Sequence, residues 1–169
     1  IRICLVGSEM CIRDRPIAIT HANPSFWHAA KRNKSNELLK VLSDSGGILG
    51  FSLYPHHLKN NTNCTLDSFC EMIARTSDIM NIKNIGIGSD LCLNQPDEIV
   101  EWMRNGTWSK NKNYGEGSKN KPGFPKQPGW FEDARGFFNI EKGLRKVGFS
   151  EEETNGILGN NWYNFYRNI

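Results

Sequence analysis

The sequence predicts an α/β fold with a parallel sheet, because short apolar segments alternate with amphipathic ones. Strands are predicted at residues 17–20, 48–54 and 85–90, and two helices are predicted between them. A strand-helix-strand-helix-strand order is typical of βαβ units, in which helices cover a parallel sheet. Polar residues follow the first and third strands, which places them at one edge of that sheet.

The first strand is a β-branched run that ends just before His21. Ser35 is a suitable N-cap for the first helix, and the pair Gly46 and Gly47 ends it. Apolar residues recur between these signals at helical spacing, at Leu38, Leu39, Val41 and Leu42.

The second strand, 48–54, is almost continuously apolar, as expected of a strand buried on both faces, and Pro55 stops it. Thr65 caps the second helix, which Asn81 closes. One face of that helix is apolar and consists of Phe69, Met72, Ile73, Thr76 and Met80. The third strand, 85–90, ends in the carboxylate of Asp90.

Beyond the third strand the pattern becomes less regular. A short helix is predicted around Val100, and residues 105–129 are rich in Gly, Asn, Lys and Pro without an apolar period. Gly148 closes a further helix, a capping box at Ser150 and Glu153 opens another, and Gly159 is expected to end it. The aromatic segment 160–166 predicts a terminal helix that packs back on the domain.

Composition excludes several classes of function. The 169 residues carry a net charge of +3 with scattered basic residues, so nucleic acid is not an expected partner. No apolar run approaches the ~20 residues that cross a bilayer. The five cysteines include no C-x-x-C pair. Free thiols in a reducing compartment are expected, which favours the cytoplasm, although export and pairing among Cys64, Cys70 and Cys92 stay open.

The first fifteen residues are treated separately. Residues 9–15 resemble the translation of a transposase adaptor used in sequencing libraries. We therefore expect 1–15 to be a non-native segment and exclude it from the fold prediction. The remaining residues, 16–169, are expected to be the carboxyl-terminal part of a longer protein.

His21 and Asp90 are the candidate catalytic pair, because both follow predicted strands at the carboxyl edge of a parallel sheet. His21 could bind a metal, and Asp90 could bind metal or accept a proton from water. Arg32 offers a planar fork that suits a carboxylate. A surface histidine, a capping aspartate and a solvated arginine are the alternatives, and the adjacent His56 and His57 are expected on a loop surface.

These residues resemble a known family. Ile19-Thr20-His21-Ala22, followed by Arg32-Asn33 eleven positions after the histidine, is similar to the S-H-S/A…R-N motif of the membrane (renal-type) dipeptidases, the M19 metallopeptidases. Residues 47–54 and 86–90 resemble the family's glycine-rich strands, the second with the pattern G-x-G-S/T-D. The resemblance covers essentially all of 16–169.

The resemblance implies a TIM-type (β/α)₈ barrel with two zinc ions that hydrolyses dipeptides by metal-activated water. This chain would supply roughly the last three βα units and the carboxyl-terminal helices. His21 falls on a zinc ligand, Arg32 on the residue that binds the substrate carboxylate, and Asp90 on the acidic residue that contacts substrate and handles the proton. The other ligands of the family are missing, so the zinc ligand set is incomplete in this chain, which is expected to be inactive alone.

Two alternative functions remain open, and the sequence differs from the family motif at one place. The chain could belong to a noncatalytic binding module derived from the same barrel, or to a related amidohydrolase with another small amide substrate. Where many members continue as D-F-D-G, Asp90 is followed by Leu91-Cys92-Leu93, which leaves the substrate preference open. A homodimer is a further hypothesis.

Overall fold

Three parallel strands form a small sheet in the order β1-β2-β3. A computed structural model describes residues 16–105, 120 and 123–168. The strands are β1 (Ala18–Ala22), β2 (Ile48–Phe51) and β3 (Ile85–Ile87). The predicted α/β class and the predicted strand order are confirmed, while most of the irregular segment 105–129 lies outside the described residues.

Helix α1 (Asn36–Asp44) joins β1 to β2, and helix α2 (Leu66–Ser77) joins β2 to β3. Both predicted caps are present, because the side chains of Ser35 and Thr65 accept hydrogen bonds from backbone N–H groups of the first turn. All residues of the predicted apolar face of α2 are buried, although the helix ends at Ser77 rather than at Asn81, so that Met80 lies beyond it. In α1, Leu38 and Val41 are exposed.

Helices α3 (Asp97–Asn105) and α4 (Phe137–Lys146) follow, and then α5 (Glu151–Asn155) with its predicted capping box. Gly159 does not end that helix, contrary to the prediction. A π-helical turn, Gly156–Asn160, continues it into α6 (Asn161–Arg167). The wider turn changes the direction in which the later side chains point.

The terminal helix packs on the sheet, as predicted. The indole Nε1 of Trp162 donates to the carbonyl of Ile87 at 3.0 Å, and Asn161 donates to the carbonyls of Ile82 and Ile85 at 2.8 Å. A Cβ on Gly86 would collide with the Trp162 indole. The glycine of this strand therefore makes room for the tryptophan.

The core lies between the strands and helices α1, α2 and α4. Among its largest fully buried side chains are Phe51, Phe69, Phe131, Leu39, Leu49, Met72 and Ile73. Cys64 and Cys70 are free and buried in this cluster, and burial raises the pKa of their thiols to about 11 and about 12. The described part of the chain contains no helix of the length and apolarity that a membrane span requires.

Candidate active site

An irregularity in strand β1 presents His21. Ile19 pairs with Leu49 and Ala22 pairs with Phe51, so that three steps along β1 match two along β2. Thr20 and His21 together therefore stand opposite a single residue, Gly50, in the manner of a β-bulge. Bulges re-aim side chains and are frequent beside active sites. His21 is half-buried at the carboxyl-terminal edge of the sheet.

Two glycines accommodate this bulge. A Cβ on Gly50 or on Gly88 would collide with the carbonyl oxygen of Thr20, and for Gly88 the Cα of Gly50 is also within 3.2 Å. Backbone atoms cannot move aside as the tip of a flexible side chain can. Both positions therefore require glycine, because the carbonyl of Thr20 lies directly against the backbone at Gly50 and at Gly88.

The imidazole of His21 is held at both nitrogens. Nε2 lies 3.2 Å from the Nη1 of Arg32, and Nδ1 lies 2.8 Å from the Oγ1 of Thr20. A guanidinium can only donate, so Nε2 of His21 accepts this hydrogen bond and Nδ1 carries the proton. The structure thus brings together His21, the predicted metal ligand, and Arg32, the predicted carboxylate-binding residue.

Two buried asparagines support this pair. The Nδ2 group of Asn23 donates to the carbonyls of Ser52 (3.0 Å) and His57 (3.1 Å), and its Oδ1 accepts from the N–H of Ser52 (3.0 Å). The Nδ2 group of Asn33 donates to the carbonyls of His28 (2.8 Å) and His57 (3.0 Å), and its Oδ1 accepts from the N–H of Asn23 (3.0 Å). All donors of both amides are satisfied.

The same contacts explain why β2 is shorter than predicted. The peptide groups of Ser52 bond to the Asn23 side chain, and the regular strand stops at Phe51. Beyond that point only scattered backbone bonds continue towards β3, from Gly88 to Phe51 and from Leu53 to Ser89. The strand end becomes an anchor for the loop that carries Arg32.

His57 is buried, and its expected position on a loop surface is wrong. Its side chain is 4% exposed, and its Nδ1 lies 2.8 Å from the hydroxyl of Ser52. Burial lowers the pKa of His57 to about 4, and the nearby positive charge of Arg32 contributes in the same direction. The imidazole is therefore neutral at pH 7 and serves as part of the polar support of the site.

Strand β3 ends at Ile87, not at Asp90 as predicted, so Asp90 lies on an exposed segment beyond it. Its φ of 52° is in the left-handed region. Aspartate adopts this conformation more readily than most residues, at some cost in strain. Asp90 stands at the same edge of the sheet as His21, with β2 between the two strands. In the described part of the chain, no hydrogen bond joins Asp90 to His21 or Arg32.

A complete metal centre is not present in the part of the chain that the structure describes. No three His, Cys, Asp or Glu side chains lie close enough there to hold an ion, whereas a zinc centre needs three or four protein ligands. His21 is a suitable nitrogen donor, but by itself it does not make a site. The described residues could thus supply one ligand of a metal centre, His21.

Two cavities differ in their relation to this edge. One of about 330 Å³ follows Asp90, between the segments 92–97 and 124–132. It includes Cys92 and Leu93, where the sequence departs from the family pattern. The larger cavity, about 460 Å³, lies at the amino-terminal end of the strands, near Pro16, Gly46 and Asn84. Of these two, the smaller one is lined by residues that closely follow Asp90 in the sequence, including Cys92 and Leu93.

Sequence reasoning proposed His21, Arg32 and Asp90 as site residues, and it missed the bulge and the buried role of Asn23, Asn33 and His57. A bulge leaves no periodic pattern, and a buried amide looks like a loop residue in a sequence. The available signal was local, since Asn33 directly follows Arg32 and Asn23 follows His21 by two positions.

Comparison with known proteins places these features in a family. The family model described as membrane dipeptidase (peptidase family M19) matches residues 10–101, more than half of the chain. No curated protein matches the chain significantly.

Solved structures resemble the chain over most of its length. An amidohydrolase from Pseudomonas aeruginosa is 27% identical with a TM-score of 0.78, and the match covers 91% of this chain and 46% of that one. A metallopeptidase from Rhodobacter sphaeroides, liganded with a phosphinate mimic of the dipeptide L-Ala-D-Ala, is 17% identical with a TM-score of 0.67, and the match covers 91% and 36%. The dipeptidase AC, an M19 metallopeptidase, is 17% identical with a TM-score of 0.66, over 90% and 37%. The chain therefore spans less than half the length of each of these proteins.

Proposed function

Since this chain belongs to the membrane dipeptidase family, peptidase family M19, we propose that the whole protein is a zinc-dependent dipeptidase. Residues 16–169 would form the carboxyl-terminal part of its (β/α)₈ barrel, with β1, β2 and β3 as neighbouring barrel strands. The three-stranded parallel sheet and the partial match to longer proteins support this proposal.

The observation that carries the proposal is the pairing of His21 with Arg32 at the carboxyl edge of the sheet. In barrels of this type that edge carries the active site. A nitrogen ligand and a fixed positive charge are what a metallopeptidase needs to hold an ion and the free carboxylate of a dipeptide. The bulge that carries His21 adds support, because bulges are over-represented beside active sites.

His21 would contribute one ligand to the metal centre, and the remaining ligands would come from outside the described residues. When bound, zinc supplies an activated water and polarises the peptide carbonyl. Nε2 of His21 is the unprotonated nitrogen, and its lone pair accepts from Arg32 in the structure. A bound zinc ion would take that lone pair in place of Arg32, whose guanidinium would then be available to the substrate. Thr20 fixes the ring from the other side through Nδ1.

Arg32 would bind the carboxylate of the substrate. Its side chain is exposed, and a guanidinium holds a carboxylate through two parallel hydrogen bonds. Asp90 would contact the substrate and handle the proton that passes from water to the leaving amine. Its exposed position beyond β3 leaves both carboxylate oxygens available to a ligand.

The test is a comparison of the full-length protein with its Arg32→Ala variant. We expect metal-dependent hydrolysis of dipeptides, loss of activity on chelation, and recovery on addition of zinc. Arg32→Ala should raise KM by about 10- to 100-fold, as expected for the loss of charged hydrogen bonds. The exposed neighbour Lys31 provides the matched control, and Lys31→Ala should change KM little.

A related amidohydrolase with another small amide substrate is the second candidate. It is favoured by the amidohydrolase match at 27% identity and by Cys92 and Leu93 at the cavity beside Asp90. Assay of a panel of dipeptides against N-acyl amino acids separates the two functions. A full-length protein that binds no zinc and hydrolyses neither class would instead be a noncatalytic binding module.

A further inference from the structure

We propose that Asn33 is a positioning residue for substrate recognition, because it holds the segment that carries Arg32 against the end of strand β2. This inference rests on the proposed role of Arg32 as the carboxylate clamp. It adds to that role a residue that touches neither metal nor substrate and sets where the guanidinium stands.

The loop that carries Arg32 is closed at its base by backbone hydrogen bonds, and its Trp27 packs against the core. Lys34 donates its N–H to the carbonyl of Asn23 at 2.8 Å, and Ser25 donates to the carbonyl of Lys34 at 2.8 Å. These bonds join the two ends of the loop to each other. They do not fix the loop relative to the neighbouring strand.

Asn33 connects the Arg32 end of the loop to the end of the neighbouring strand. Its Nδ2 group donates both to the carbonyl of His28, within the loop, and to the carbonyl of His57, beyond the end of β2. Its Oδ1 accepts from the N–H of Asn23, just beyond the end of β1. One side chain thus joins three segments, and it is only 9% exposed.

The carbonyl of His57 is the shared point of this arrangement. It accepts from both Asn23 and Asn33, at 3.1 and 3.0 Å. Asn23 lies two residues after His21, and Asn33 directly follows Arg32. The segments that carry the predicted ligand and the predicted clamp are therefore both hydrogen-bonded to the same carbonyl oxygen. A misplacement of about 1 Å in such a site can cost 10²-fold in rate.

Arg32 itself depends on this support. Its side chain is exposed, and among the described residues its hydrogen bond is to His21. A solvated side chain of this kind takes its position from its backbone. Loss of the Asn33 amide should therefore weaken recognition of the substrate carboxylate while leaving the reacting groups in place.

The kinetic test uses the full-length enzyme with a dipeptide and the same dipeptide as its carboxamide, which lacks the group that Arg32 binds. Asn33→Ala should raise KM for the free acid about tenfold, with a smaller change in kcat, and should change the carboxamide little. In an Arg32→Ala background the same substitution should add almost nothing. Asn36→Ala, at an exposed asparagine of α1, is the matched control.

A role in stability alone predicts a different result. It would reduce activity on the acid and the carboxamide alike, and the losses from Asn33 and Arg32 would add. Either outcome overturns the proposal. If Asn33→Ala does not fold, Asn33→Ser, which retains a small polar group, is measured in the same way.

A second readout does not depend on activity. In the metal-free full-length protein, the ¹⁵N signal of His21 Nε2 reports the hydrogen bond from Arg32. Asn33→Ala should shift this signal in the same direction as Arg32→Ala, and an unchanged signal would contradict the positioning role. If the wild-type protein hydrolyses no dipeptide, the proposed function fails, while this measurement still decides the inference about Asn33.

Discussion

At the carboxyl-terminal edge of the sheet, the side-chain amides of Asn23 and Asn33 form hydrogen bonds with backbone groups that a neighbouring strand would usually bind. Helices α2 and α4, in contrast, pack through apolar and small side chains. In the helical region, Gly143 lies against Cys70 and Leu66, and Thr65 caps the start of α2 as its sequence predicts. At the sheet edge, a bulge, two buried asparagines and a left-handed aspartate interrupt the regular pattern. The contrast shows that regular packing supplies the frame, whereas departures from it position the candidate site.

The largest effect is expected at the sheet edge. Asp90→Asn keeps the size of the side chain but removes its ability to take a proton, so turnover should fall by about 10³-fold. Zinc content, measured by metal analysis, should stay unchanged. Asp78→Asn, at an exposed aspartate after α2, should keep wild-type turnover, and a fully active Asp90→Asn variant would remove Asp90 from the mechanism.

The bulge should be sensitive to a single methyl group. Gly88→Ala places a Cβ against the carbonyl of Thr20 and the Cα of Gly50, and neither backbone atom can yield. We expect a loss of at least about 3 kcal/mol in the free energy of unfolding, measured with denaturant. Gly129→Ala, where no atom lies within 4 Å, should be near neutral. Equal stability of the two variants would show that the bulge is not as tightly packed as described.

His57 should make stability depend on pH. The unfolded chain protonates this histidine near its ordinary pKa of 6.5, whereas the folded protein does so only near about 4. Between these two pH values the unfolded state therefore binds more protons than the folded state. The free energy of unfolding falls as the pH decreases from 6.5 to 4, and at pH 5 this histidine lowers it by roughly 2 kcal/mol. His57→Asn, whose amide can replace Nδ1, should flatten the pH profile of unfolding, and an unchanged profile would contradict a buried neutral His57.

A smaller effect is expected in the helical region. Ser150→Ala removes the capping box at the start of α5 and should cost about 1 kcal/mol in stability with no change in KM. Asn155→Ala, at an exposed residue of the same helix, serves as the control. A change in KM on loss of this cap would show that the helical region is coupled to the carboxyl-terminal edge of the sheet, and we expect no such coupling.

The sequence predicted the regular part of this fold well, because caps and apolar periodicity are local properties. Ser35, Thr65 and Ser150 each begin a helix as expected, and three strands appear in the predicted order. The candidate residues His21, Arg32 and Asp90 were found from motif position and strand ends. Their arrangement was beyond the sequence, since it depends on bonds between distant segments, such as those of Asn23 to Ser52 and His57.

Gly159 illustrates the same limit in a helix. A glycine near the end of an amphipathic segment usually marks a terminus. Here the chain continues through a π-helical turn, and Asn161 and Trp162 then reach carbonyls before and after β3. The tertiary contact outweighs the local preference, which no pattern within the segment can reveal.

The bulge at Thr20 and His21 also has a consequence for how such a site can be lost. Deleting one residue there, Thr20 or His21, would restore an uninterrupted ladder between β1 and β2, with Ala22 still opposite Phe51. The strand would become more regular, but loss of Thr20 would remove the partner of His21 Nδ1, and loss of His21 would remove the predicted metal ligand. Surveys of related genes should therefore read chain length between residues 19 and 22 as evidence of retained activity, alongside the identity of the residues themselves.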